Sequence, residues 1–242
     1  MTKQYVHKAI VALMALFFSM NALAQTDGLG TWNLLNVKKT FNEKWNAFFE
    51  GQLRSQKIYN DFNYHEYKGG IGYNIAKQFN ITVAAGQYVT YMPVGNFKNV
   101  TSSEFRFWQQ FTLTNNLNRV KIEHRYRIEQ RWTSAEYRNR FRYRLSVLVP
   151  FNKKKIETGT VYGSVSNEIF LTNVKPYFER NRFAIGIGYV FDDHFTLQSG
   201  YLRQYDYRMT GNSTGKDYLQ TSLLFTLNEH KSNMERHPSP AD

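Results

Sequence analysis

Fourteen charged side chains hold most of the chemistry open to this chain. They are Glu104, Arg106, Glu123, Arg125, Arg127, Glu129, Arg131, Arg138, Arg140, Arg142, Arg144, Glu168, Arg180 and Arg182. Arginine presents a planar fork of donors that matches a carboxylate two bonds at a time, so such rows on neighbouring elements form ion pairs. With Lys121 added, eleven cations stand against four carboxylates. That leaves seven positive charges over, and a field of that sign favours an anion, either a bound phosphate or carboxylate or a permeating solute. The structural alternative is a narrow lumen plugged by its own ion-paired side chains.

Other chemistries find less support. A hydrolase sets a serine or aspartate near a histidine that a carboxylate orients. The histidines past the leader are His65, His124, His194, His230 and His237. His124 falls on an apolar face between Glu123 and Arg125, and His65 lies near Asp61 and Glu66. Neither has a local serine motif, so a membrane-embedded lipid hydrolase is the weakest reading and the expectation is a protein that is not an enzyme. No spacing of histidines or carboxylates suits a metal, and no cofactor is implied. Gly69-Gly70-x-Gly72 sits within a strand segment, where it marks a bend or close packing rather than a phosphate loop.

The charged rows need an element that holds them on one face. In Arg119–Trp132 the charges Lys121, Glu123, Arg125, Arg127, Glu129 and Arg131 alternate with Val120, Ile122, His124, Tyr126, Ile128, Gln130 and Trp132. Only a β-strand has that two-residue period. Tyr137–Val149 and Glu104–Thr114 repeat it. Eight further segments alternate in the same way: Thr31–Phe41, the weakest, then Lys44–Tyr59, Tyr64–Ile75, Phe79–Tyr91, Thr158–Leu171, Tyr177–Phe191, His194–Tyr207 and Lys216–Leu227.

Segments of 11 to 16 residues exceed the ordinary soluble strand of about 5–6 and match a tilted membrane strand of about 9–11 or more. Asn42-Glu43, Ala76–Gln78, Asn115–Asn118, Asn152–Lys155 and Asp192–His194 read as tight turns. Between them lie Asn60–Asn63, Met92–Thr101, Thr133–Glu136, Thr172–Pro176 and Arg208–Gly215, on average longer. Short and long connectors alternate this way in membrane barrels. Aromatics at segment ends, namely Trp32, Trp45, Tyr59, Tyr64, Tyr91, Trp132, Phe191, Tyr205 and Tyr207, suit girdles at the headgroup levels. The expected fold is an all-β, antiparallel up-and-down transmembrane β-barrel of about 10–12 strands. Eleven segments conflict with the even number usual in bacterial barrels. Either Thr31–Phe41 is accessory to a ten-stranded ring, or one strand is fused or missed.

The whole chain fits that picture. It has 242 residues, a net charge of +12, 17% aromatics and no cysteine, so it has neither a disulfide framework nor a thiolate site. Residues 1–24 read as a signal peptide, with Lys3 and Lys8, the apolar stretch Ala9–Met20 and the cleavage pattern Ala22-Leu23-Ala24. Residues 25–228 form the barrel domain and 229–242 a polar disordered tail. The expected location is the outer membrane of a Gram-negative cell. Outer-membrane lipid, lipopolysaccharide, the barrel-assembly machinery and a small anionic molecule are the expected partners. Nucleic acid is not among them: the basic balance resembles a nucleic-acid binder, but a basic lumen explains it equally well. The two leading functions are a porin-like barrel that binds or passes small anions, and a non-conducting structural or adhesion barrel acting through loops such as Met92–Thr101 and Arg208–Gly215.

Several of these blocks carry a resemblance. Trp32, Glu104-x-Arg106-x-Trp108-Gln109-Gln110, His124-Arg125-Tyr126-Arg127-x-Glu129-Gln130-Arg131, Arg140-Phe141-Arg142-Tyr143-Arg144 and Asn167-Glu168-x-Phe170 together resemble an uncharacterised family known as domain of unknown function 2490. The resemblance covers nearly all of the chain after residue 24. It implies an outer-membrane β-barrel-like fold and no particular activity or ligand.

Overall fold

Alternation resolves into eleven strands in the computed structural model, which describes residues 28–209 and 213–228. They are β1 (Leu29–Thr40), β2 (Trp45–Lys57), β3 (Asn60–Ala76), β4 (Phe79–Tyr91), β5 (Val100–Leu117), β6 (Val120–Thr133), β7 (Tyr137–Pro150), β8 (Val161–Thr172), β9 (Phe178–Val190), β10 (Phe195–Asp206) and β11 (Thr214–Asn228). The expected signal peptide 1–24 and tail 229–242 lie outside the described residues.

Each strand pairs antiparallel with its sequence neighbours, and β1 closes the ring against β11. That last pairing is parallel, in register from Leu29↔Asp217 to Thr40↔Asn228. Parity requires it: in an up-and-down ring of odd number the first and last strands point the same way. The seam corrects the even-number expectation. Thr31–Phe41 is neither accessory nor evidence of a missed strand, because β1 is a full stave that also pairs with β2. Its alternation is weak because its lumen face carries buried Trp32 and Leu34 beside polar Asn36, so apolar residues stand on both faces. Closure leaves no sheet edge.

The sheet is inside out relative to a soluble one. On β6, Arg127 is 2% exposed while its neighbour Ile128 is 37% exposed. The same inversion runs round the ring: Leu53, Ile71, Val83, Phe141, Val165, Ile185 and Leu223 are all exposed. Two bends shape the ring. At β9/β10, Gly186 stands opposite Gly200, and a Cβ at Gly200 would lie 2.2 Å from the Ile185 carbonyl oxygen. At β3/β4, Gly70 faces Ala84, whose Cβ would be 2.3 Å from an added one. Only glycine lets neighbouring strands turn that tightly. The Gly69-Gly70-x-Gly72 run is therefore a barrel corner.

Three expectations change. The segment expected to start at Thr158 starts at Val161, and the turn expected at Asn152–Lys155 is part of the connector 151–160. That connector folds back, burying Ile156 against Leu148, Tyr162 and Val190. The connector expected at Asn60–Asn63 is only 58–59, since Asn60 already belongs to β3. The two ends of the barrel thus differ less in connector length than the sequence implies. Finally, Trp32 and Tyr64 are not girdle residues. Trp32 is 1% exposed and lies inside, and the Tyr64 hydroxyl donates to lumen Glu66. Trp45, Tyr59, Trp132, Phe191 and Tyr207 do lie exposed.

Candidate functional site

The lumen is built on β6 and β7, whose register sets like charges face to face. Arg125 is opposite Arg144, Arg127 opposite Arg142, and Arg131 opposite Arg138. Like charges in that position destabilise a sheet, so the hairpin needs carboxylates between its arginines. Glu129 supplies one answer: Arg140 Nη2 and Arg142 Nη1 each approach it to 2.6 Å, with Arg127 Nη1 at 3.5 Å. Other strands supply the rest. Glu168 of β8 takes Arg125 at 2.7 Å and Arg142 at 2.8 Å. Glu104 of β5 takes Arg106 and Arg131 at 2.8 Å. Within the hairpin itself, Glu123 of β6 also takes Arg144 at 3.2 Å. The full belt therefore needs β5, β6, β7 and β8 side by side.

All fourteen expected residues face this belt, and further carboxylates join it. Glu179 stands within 3.2–3.5 Å of Arg131, Arg138 and Arg140. It escaped the sequence reading because strict alternation puts it on the outer face. A bulge rescues it: Phe170 pairs with Arg180 and Leu171 with Phe178, so Glu179 is the extra residue, and a bulge re-aims its side chain. Asp206 of β10 accepts from Arg180. Glu50 and Glu66 hold Lys68, and Glu66 also takes Arg54 at 3.0 Å. These last four residues sit on polar strand faces legible in sequence, but outside the densest stretch. The surplus of seven positive charges is accordingly an overcount.

Aromatic faces take up part of the remaining cationic character, and this too was invisible to a charge count. Arg54 lies between Trp32 at 3.4 Å and Tyr64 at 4.0 Å. Arg106 stands over Tyr88 at 3.7 Å. The fully buried Phe170 ring has Arg142 at 4.5 Å and Arg182 at 4.8 Å. Each desolvated contact of this kind contributes up to about 2 kcal/mol. Arg182 also donates from Nε to Gln204 at 3.0 Å.

The histidines lie apart from the belt. His124 faces outward, with Nδ1 2.9 Å from the Tyr143 hydroxyl. His65 meets the rings of Tyr91 and Phe97, and His194 Nδ1 meets the Thr226 carbonyl. Among the described residues no group of His, Asp and Glu is arranged to hold a metal ion.

Comparison with known proteins adds a family. The family described as "Protein of unknown function (DUF2490)" matches residues 29–215, which runs from β1 into the start of β11. Neither curated proteins nor solved structures give a match.

Proposed function

Starting from a chain that belongs to the DUF2490 family, we propose that it is an outer-membrane β-barrel closed by its own lumen, a non-conducting barrel rather than an open porin. One observation carries the reading. Glu129, in the middle of the belt, is fully buried and held by arginines of two strands. A charged lumen that conducts keeps its charges wet.

The outer wall supports placement in lipid. Its apolar rows are exposed, and several of its polar groups pair with each other across strands. Gln109 and Gln130 exchange hydrogen bonds at 3.3 Å, and Asn167 and Asn181 do so at 3.1–3.2 Å. Such self-pairing answers the lack of water in a bilayer core. The aromatics exposed near the strand ends add to this.

Planar-bilayer recording of the refolded protein tests the reading, with silent membranes expected. Steady ohmic steps would refute closure. A second reading, retention of a small anion, is favoured by the arginine-rich character of the belt. Catalysis is no part of this proposal.

A further inference from the structure

The end of the barrel marked by Thr40 carries one long connector, 151–160, among turns of four residues or fewer. It does not stand out into solvent. It folds back and packs the side chain of Ile156, 2% exposed, with Leu148, Tyr162 and Val190. These three are buried residues of β7, β8 and β9, on the faces that alternation turns to the lumen. Tyr162 adds a second layer. It lies against Gly188, where a Cβ would stand 2.1 Å from the tyrosine ring, and its hydroxyl donates to Gln198 at 3.2 Å. Behind this layer is a chamber of about 60 Å³ with Ser146, Leu148 and Gln198 in its wall, and then Arg144 and Glu168 of the belt.

What holds the connector differs from what holds the ring. Arg119, from the turn between β5 and β6, donates from Nη2 to the carbonyls of Pro150, Phe151 and Lys153 at 3.1, 3.2 and 2.7 Å. Thr158 donates to Asp193 of the next turn at 2.7 Å, and Lys153 pairs with Glu157 at 3.1 Å. Gly159, with φ of 80°, provides the turn that leads the chain back into β8. Arg119, Phe151, Glu157, Thr158 and Asp193 are all exposed, so water replaces their bonds at small net cost. Ile156 is the connector's one buried apolar side chain. A segment with a single apolar anchor and solvent-exposed hydrogen bonds opens locally while the rest of a fold stands. The wall beside it is a continuous ladder, with β7 and β8 paired from Arg140↔Thr172 to Pro150↔Tyr162.

We propose that residues 151–160 form a strap that shuts this end of the lumen and lifts without unpairing the strands, and that Arg119 is the residue that positions it. The barrel then has two separate closures, the belt of salt bridges and the apolar strap, with the chamber between them. The inference rests on the closed-lumen reading above and adds which element seals the Thr40 end.

The chain has no cysteine, so single introduced cysteines report access. Ser146→Cys places a thiol in the chamber wall, at a residue 8% exposed. Thr172→Cys places one at the opposite end of the barrel, at a residue 6% exposed. The full-length barrel, refolded in detergent so that both ends meet solvent, is labelled with a charged methanethiosulfonate. Both thiols should react slowly in the otherwise unchanged chain. Arg119→Ala should speed labelling of Ser146→Cys by about tenfold or more and leave Thr172→Cys slow. Ile156→Ala, which keeps Arg119, should act in the same direction. Should Arg119→Ala fail to fold, Ile156→Ala decides alone. Fast labelling of Ser146→Cys in the otherwise unchanged chain, or equal labelling with and without the second substitution, overturns the inference. So does a parallel rise at Thr172→Cys, which would mean that the whole ring had loosened. These results would leave the closed barrel standing, because the belt lies beyond the chamber. Ohmic steps from the wild type in a bilayer would sink the closed barrel without touching the labelling.

Discussion

Neutralising Glu129 is the sharpest perturbation of the belt. Glu129→Gln keeps the shape of the side chain and removes its charge. Arg140 and Arg142 then lose the partner they approach to 2.6 Å, and a glutamine NH2 is turned toward a guanidinium. Breaking a buried pair from one side costs about 3–5 kcal/mol. The loss should fall at the lower edge, because Arg142 keeps Glu168 at 2.8 Å and Arg140 keeps Glu179 at 3.5 Å. About 3 kcal/mol is expected. Urea titration of the lipid-refolded protein, followed by tryptophan fluorescence, reads it. Glu157→Gln is the control: Lys153 lies 3.1 Å away, but the Glu157 side chain is 61% exposed, so its loss should stay below about 1 kcal/mol. A double variant, Glu129→Gln with Arg142→Gln, should recover part of the deficit by removing a stranded charge. If Glu129→Gln cost no more than Glu157→Gln, the belt would not be what holds the lumen shut.

Three further outcomes follow from particular contacts. Ile128→Arg puts a cation on the exposed outer wall and should cost about 2–4 kcal/mol in lipid; a neutral result in detergent-to-lipid refolding would mean that this face meets water. Leu35 and Leu223 are register partners across the parallel seam, and the chain has no cysteine of its own. Leu35→Cys with Leu223→Cys should therefore cross-link with a short bifunctional reagent, while either single variant stays uncross-linked, and absence of the cross-link would break the eleven-strand ring. Gly200→Ala drives a Cβ to 2.2 Å from the Ile185 carbonyl oxygen, and overpacking of this kind costs about 1–3 kcal/mol. The heat-modifiable gel shift of the folded barrel should weaken accordingly; an unchanged shift would show that the corner has slack.

The two-residue period made most of this architecture legible. Arg125, Arg127 and Glu129 were placed inside because no other element puts all three on one face, and the same logic put Ile128 outside. What the period hides is whatever breaks it. Glu179 enters the lumen through a bulge, and a bulge leaves no mark in an alternation pattern. Trp32 and Tyr64 look like girdle residues by position along their strands, but their rings serve arginines inside. The parallel seam was hidden for a different reason: pairing between the first and last strands is non-local, and the sequence constrains only the parity.

If the barrel sits in a membrane as proposed, one surface of its sheet meets lipid, and the chain's four tryptophans report directly on which. Trp32 and Trp108 lie buried in the lumen, at 1% and 0% exposure, while Trp45 and Trp132 lie on the outer wall at 47% and 42%. Single-tryptophan variants, with the other three changed to Phe, are refolded into vesicles containing brominated acyl chains. Trp45 and Trp132 should be strongly quenched, and Trp32 and Trp108 left bright. Quenching of Trp108 with Trp132 untouched, or bright emission from all four beside protein that stays in the aqueous phase, would contradict it.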